Sequence, residues 1–146
     1  MPTAAKIFAA IFFFGLCYLA AEAVKPFMPP DSQTGYMSLI SAVIGAPVGW
    51  YVSGDLAGRG LRAAIGTGMR SAITAVILAL LFFSGREMIL RSINHRYHGP
   101  TEALQAMMGL MLDYGKLVLN PPVALTLLGG GAVVGLMVEW VNRRWR

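Results

Sequence analysis

The sequence has little charge, few histidines and almost no cysteine. Asp, Glu, Lys and Arg make up 13% of the 146 residues, whereas 56% are hydrophobic. Soluble domains usually carry about twice that share of charged residues. This composition therefore excludes an ordinary water-soluble domain and indicates an integral membrane protein. A single cysteine, Cys17, also excludes an intrachain disulfide.

Four apolar stretches are long enough to be considered as membrane spans, because a helix needs about 20 apolar residues to cross a bilayer. We predict an all-α bundle of four transmembrane helices at about 4–24, 36–53, 63–84 and 122–141. These spans use most of the chain. The sequence thus predicts one transmembrane domain over residues 1–146, with no soluble domain beside it.

The segment from about 101 to 119 is apolar but carries a polar stripe. The stripe recurs at steps of three or four residues, the spacing of one face of a helix, and consists of Glu102, Gln105, Gly109, Asp113, Lys116 and Asn120. We predict an amphipathic helix that lies in the membrane interface or packs on the bundle. In the alternative, this segment is a fifth span with its stripe buried among the other helices, and the carboxyl terminus then lies outside.

The basic residues predict the orientation, because cytoplasmic loops retain Lys and Arg. One side would carry Lys6, Arg59, Arg62, Arg70, Arg143, Arg144 and Arg146, and the other would carry Lys25, Arg86, Arg91, Arg96 and Lys116. We expect both termini in the cytoplasm. The net charge of +5 then reflects topology, so we predict the lipid bilayer as a partner and no nucleic acid.

Small residues recur every fourth position in several of the predicted helices. Such ridges let helix backbones approach closely in lipid, where hydrophobicity does not drive association. The positions predicted to pack are Ser41, Gly45, Gly49 and Ser53 in the second segment and Gly131 and Gly135 in the fourth. A similar series, Gly60, Ala64, Gly68 and Ala72, starts the third. We expect mainly internal contacts, although other membrane subunits are also possible partners.

Both histidines fall in one short stretch, HRYHGPTEALQ, at residues 95–105. His95, His98 and Glu102 are spaced so that a helix could present them together as metal ligands. Pro100 argues against one continuous helix through all three. Gly99 as a cap, Pro100 at the first helical position and Glu102 in the first turn instead indicate a helix start at the membrane surface. We therefore predict no metal site here.

The remaining ionisable groups predict no catalytic centre and no bound cofactor. Cys17 lies alone in an apolar helix without a neighbouring base, which favours inert packing over thiol chemistry. Glu22, Arg70 and Glu139 lie towards the ends of predicted spans, whereas ion-coupled transporters place such groups at mid-depth. Arg70 and Glu139 could form an ion pair near the cytoplasmic face.

Several motifs together resemble one family of membrane proteins. They are the opening MPTAAK, GRG at 58–60, SGREMILRS at 84–92, RYHGPTEALQAM at 96–107 and the ending EWVNRRWR. With these motifs, the chain resembles the TrgA family of tellurium-resistance-associated membrane proteins of alphaproteobacteria over nearly its whole length. The resemblance implies an inner-membrane location and a link to tellurite resistance. It implies no catalytic residue, and the two histidines are not part of the family pattern.

Two functional hypotheses follow from the sequence. The first is a non-enzymatic inner-membrane protein of the tellurite-resistance type, in which Arg86, Arg91, Arg96 and Lys116 would attract an oxyanion. Three acids share that region and leave its formal charge at +1, so strong anion binding is not indicated. The second hypothesis is an accessory subunit that packs against a larger respiratory or photosynthetic membrane complex.

Overall fold

The computed structural model describes residues 3–28, 35–95 and 98–145, and all of its regular structure is helical. Helix α1 is Thr3–Val24 and leads into a 3-10 turn, Lys25–Phe27. Helix α2 is Met37–Val48 and continues in a π-helical turn, Gly49–Ser53. Helices α3, α4 and α5 are Leu61–Ile93, Pro100–Val118 and Pro121–Arg144. The predicted all-α fold is confirmed.

Three helical segments are long and apolar enough to cross a membrane. They are Thr3–Phe27, Leu61–Ile93 and Pro121–Arg144, with hydropathy of 2.1, 1.9 and 1.8 in their most apolar windows. The apolar helix Met37–Ser53 is shorter, reaching about 25 Å at 1.5 Å per residue. These segments support a membrane protein, whereas a fourth span at Met37–Ser53 stays a prediction.

Proline and glycine mark the ends and irregularities of these helices. Pro100 and Pro121 occupy the first positions of α4 and α5, where a missing amide hydrogen costs nothing. Pro47 lies inside α2, and the widened π turn begins two residues later. Gly60 directly precedes α3 and has a φ of 108°. Glycine is favoured at this position because the conformation is unfavourable for residues with a side chain.

Helix α3 is the longest element and has different partners along its length. Its amino-terminal half crosses α5, where Gly68 lies beside Gly131 and Ala64 beside Gly135. Its carboxyl-terminal half packs on α4, where Gly85 lies beside Met107. Both α4 and α5 therefore run antiparallel to α3, one after the other.

Helix α1 packs against α2 and α5 and completes the bundle. The rings of Phe8 and Trp145 lie 6.1 Å apart, which places the two ends of the described chain at the same end of the bundle. An ion pair between Lys6 and Asp55 is found at this end as well. We refer to it as the terminal end and to the opposite end as the distal end.

The predicted small-residue ridges lie at the helix crossings. A methyl group added to Gly45 would meet Phe13 O at 2.7 Å and Cys17 Sγ at 2.5 Å, so α1 and α2 touch backbone to backbone. Gly49 faces Ala9 in the same crossing. Ser41 and Ser53 are also buried. Gly131 and Gly135 form the equivalent contact with α3.

Three arcs of α4 have different surroundings. Leu110 is buried and faces α3, while the predicted polar stripe, including Gln105 and Asp113, is exposed. A second exposed arc is apolar and consists of Leu104, Met108, Leu112 and Leu119. Exposed polar and apolar arcs therefore lie side by side on α4, which runs along α3. The amphipathic helix in the membrane interface and the alternative of a fifth span both stay predictions.

Candidate functional site

A cavity of about 1080 Å³ lies at the distal end, between α3 and α4 on one side and α1, α2 and α5 on the other. Most of its wall is apolar. Representative side chains are Ala21 and Ile40 from α1 and α2, Ala79 and Phe83 from α3, and Leu117 and Leu127 from α4 and α5. An apolar wall of this kind binds hydrocarbon rather than a hydrated ion.

The cavity exists because α3 extends past the place where it crosses α5. Near Gly68, the two backbones touch and leave no space. Further along, the cavity wall includes the small side chains of Ala75 and Ala79 from α3 and of Ala20 and Ala21 from α1. Small side chains fill less of the space between helices.

Polar side chains line one part of the cavity wall, and we call them the polar rim. The polar rim consists of Arg86, Glu87, Arg91, Asn94, Asp113 and Tyr114. Arg91 Nε lies 3.0 Å from Glu87 Oε1, one helical turn away. Lys116 Nζ lies 3.8 Å from Asp113 Oδ1, but both side chains are more than two-thirds exposed, so water weakens this pair.

The polar rim carries two cations and two acids and therefore has no net formal charge. Burial raises the pKa of the Tyr114 phenol above its usual value, and the nearby Glu87 carboxylate raises that pKa further. The phenol therefore remains neutral at physiological pH and keeps its O–H as a hydrogen-bond donor. Arginine, carboxylate and phenol together offer donors and acceptors at one end of an apolar space.

A second polar cluster at the distal end joins α1 to the start of α2. Lys25 Nζ lies 2.6 Å from Glu22 Oε1, and the Ser38 hydroxyl donates to the same oxygen at 2.5 Å. The Ser38 contact crosses between the helices and fixes the beginning of α2 beside the end of α1. This cluster thus positions the two helices that form one wall of the cavity.

The structure brings part of the predicted anion-attracting set together. Arg86 and Arg91 both lie in the polar rim, whereas Lys116 is on the exposed stripe of α4. Arg96 lies outside the described residues, as does Arg146 from the predicted cytoplasmic set. Because Glu87 and Asp113 share the rim with the two arginines, the site is polar rather than cationic.

In the described part of the histidine stretch, His95 lies in a turn and residues 98–105 contain the start of α4. His95 has a positive φ of 54°, and the His98 N–H donates to Glu102 Oε2 at 3.0 Å. Glu102 in the first turn of α4 is therefore linked to the residue that precedes the N-cap, Gly99. Within residues 3–28, 35–95 and 98–145, no three His, Cys, Asp or Glu side chains form a group suited to a metal ion.

Glu139 makes contacts other than the predicted pair with Arg70. Its side chain is only 3% exposed, and it accepts the Gly58 N–H at 2.6 Å and Arg143 Nε at 3.2 Å. Arg70 is on the exposed face of α3. The prediction is wrong because Arg143, one turn along the same helix, and the loop before α3 reach the carboxylate instead.

The cavity itself was not predicted from the sequence. Its signal is weak, since alanines at Ala20, Ala21, Ala75 and Ala79 are equally typical of close helix contact. Compared with models of protein families, curated proteins and solved structures, the chain gives no match in any of the three. The cavity and its polar rim are therefore the features from which a function can be argued.

Proposed function

We propose that the chain is a multi-pass protein of the bacterial inner membrane that contributes to tellurite resistance without itself catalysing a reaction. The tellurite assignment is supported by the motifs that resemble the TrgA family, including SGREMILRS and EWVNRRWR. The membrane assignment is supported by three long apolar helices.

The proposal that the protein is not an enzyme rests on one observation: the cavity wall is mostly apolar, and the acidic side chains are engaged by other residues. Each of the six acids in the described part of the chain has a partner. Glu22 contacts Lys25 and Ser38, Glu87 contacts Arg91, and Glu102 accepts the His98 N–H. Glu139 binds Gly58 and Arg143, Asp55 contacts Lys6, and Asp113 contacts Lys116. A general acid or base has to reach a reacting group. Such an arrangement favours a protein that acts by binding within the membrane.

Direct capture of tellurite in the polar rim is the less favoured mechanism. Arg91 is paired with Glu87, and Asp113 is close enough to repel an oxyanion from the same wall. We propose instead that the protein contributes to tolerance through what it binds or stabilises in the bilayer.

The proposal is tested by the growth of a deletion strain on tellurite. We expect deletion to lower the inhibitory concentration and the intact gene to restore it. The double variant Arg86→Gln, Arg91→Gln should restore less, because both changes remove charge from the polar rim. The matched control Arg62→Gln, Arg70→Gln changes two exposed arginines elsewhere on α3 and should restore fully.

Immunoblots must show that all of these variants reach the same abundance in the membrane. A deletion strain that tolerates tellurite as well as its parent would contradict the proposed function. Full restoration by the double variant would show that the charges of the polar rim are not required.

A second candidate function, an accessory subunit of a larger membrane complex, is favoured by the exposed apolar arc of α4. Leu104, Met108, Leu112 and Leu119 are each at least 60% exposed, and a partner helix could cover them. Purification of the tagged chain in mild detergent separates the two candidates. Stoichiometric co-purification with a large complex supports the subunit, and a small particle from a strain with a tellurite phenotype supports the first proposal.

A further inference from the structure

We propose that the cavity binds one phospholipid with a zwitterionic head group. Its acyl chains would occupy the apolar part, and its head group would lie at Arg86 and Asp113. This inference goes beyond the proposed function and requires only that the chain is embedded in a membrane. It is carried by the size, the wall and the charge of the cavity.

The size of the cavity fits a lipid better than a small metabolite. At about 1080 Å³, it is at the upper limit of the roughly 300–1,000 Å³ that holds drug-sized ligands. Five helices contribute to its wall, and their apolar side chains include Val24, Leu80 and Val123. An apolar wall of this kind favours hydrocarbon over water, so acyl chains from the surrounding bilayer fit the apolar part of the cavity.

The side chains of the polar rim indicate which kind of lipid head group the site can bind. Arg86 is an exposed cation whose guanidinium can bind a phosphate through two parallel hydrogen bonds. Asp113 on α4 lies 3.8 Å from Lys116 Nζ, but both side chains are largely exposed, so water weakens this pair and the carboxylate can still accept hydrogen bonds from an ammonium group of the ligand. Arg91 and Glu87 in the same rim pair with each other.

A zwitterionic head group complements this arrangement more fully than an anionic one. A phosphoethanolamine group brings one phosphate and one ammonium group to a rim with an arginine and a carboxylate. An anionic head group such as phosphoglycerol would leave the Asp113 carboxylate without a cation from the ligand. Tyr114, whose phenol stays protonated, offers an additional donor to the phosphate.

The test uses the full chain purified in mild detergent. Mass spectrometry of the extracted lipids should find phospholipid at about one molecule per chain, as a single site of this size predicts. Native mass spectrometry then compares added phosphatidylethanolamine and phosphatidylglycerol with identical acyl chains. We expect phosphatidylethanolamine to bind more tightly.

Two variants test the two parts of the site. Arg86→Gln should weaken phosphatidylethanolamine binding about tenfold, since a charge-assisted bond is lost, whereas Arg62→Gln should not. Ala79→Phe places a ring in the cavity and should remove the retained lipid. Its control, Ala63→Phe, adds the same ring at an exposed position of α3. If Ala79→Phe fails to fold, the exposed Arg86→Gln still tests the site.

Several outcomes would overturn the inference. They are absence of retained lipid, equal binding of the two phospholipids, retention of lipid by Ala79→Phe, or a co-purified protein helix in the cavity. These outcomes differ from a failure of the proposed function. A lipid-binding protein without a tellurite phenotype would keep the inference and reject the function, and the converse result would do the opposite.

Discussion

Replacing Gly68 with alanine should destabilise the protein, although alanine is the better helix former. Gly68 lies where α3 crosses α5, and a methyl group there would be 2.8 Å from the Gly131 carbonyl carbon and nearer still to its oxygen. Ordinary contacts begin at 3.4 Å, so the carbon alone requires a separation of about 0.6 Å and the nearer oxygen requires a larger one. The obstacle is backbone, which cannot rotate away as a side chain can.

Gly66 provides the matched control on the same helix. Nothing lies within 4 Å of a methyl group added there, so Gly66→Ala should stabilise the helix by up to about 1 kcal/mol. Both variants gain the same helix preference, and their difference in unfolding free energy therefore isolates the cost of the contact. We expect that difference to be about 1–3 kcal/mol, the usual range for overpacking.

The measurement is unfolding in mixed micelles, in which increasing denaturing detergent is followed by far-ultraviolet circular dichroism. Gly68→Ala should unfold at a lower detergent fraction than the parent, and Gly66→Ala at an equal or higher one. If the two variants unfolded together, the close crossing of α3 and α5 would be refuted.

Two further substitutions test other contacts by the same unfolding measurement. Gly49→Ala should destabilise by about 1–3 kcal/mol because the new methyl group meets the Ala9 carbonyl, whereas Gly15→Ala, which meets nothing within 4 Å, should not. A Gly49→Ala variant as stable as Gly15→Ala would contradict the α1–α2 crossing. Glu139→Ala should cost about 1.5–3 kcal/mol, since the Gly58 N–H and Arg143 lose a charged partner. Glu102→Ala, which removes an exposed hydrogen bond, should cost less than about 1 kcal/mol, and equal losses would show that the burial of Glu139 does not matter.

Much of the helical framework could be predicted from the sequence. The segments 4–24 and 122–141 agree closely with α1 and α5, because long apolar runs leave few alternatives. For the third segment we predict a span that ends near Ser84, with a possible helical extension towards Arg91, and α3 continues to Ile93. Arg86 and Glu87 mark the end of the apolar run, but neither residue breaks a helix. The helix therefore continues beyond the segment that hydropathy identifies.

The site was harder to predict because it depends on tertiary packing. The sequence grouped Arg86 with Arg91 correctly as side chains of one region, and the structure places both in the polar rim. It could not indicate that α3 outlasts its contact with α5, which creates the cavity. It also paired Arg70 with Glu139, since sequence position alone does not show that Arg70 points away from α5.

The use of one helix by two successive partners makes the distal end sensitive to chain length. Between the crossing at Gly68 and the contact at Gly85, α3 is uninterrupted. The face that contacts α5 and the face that contacts α4 therefore have a fixed angle to each other about the helix axis. One inserted residue in this interval would rotate the face that contacts α4 by about 100° relative to the face that contacts α5. Helix content would be unchanged, but α4 would be carried to a different side of the bundle. We therefore expect point substitutions in this interval to be tolerated far better than insertions or deletions.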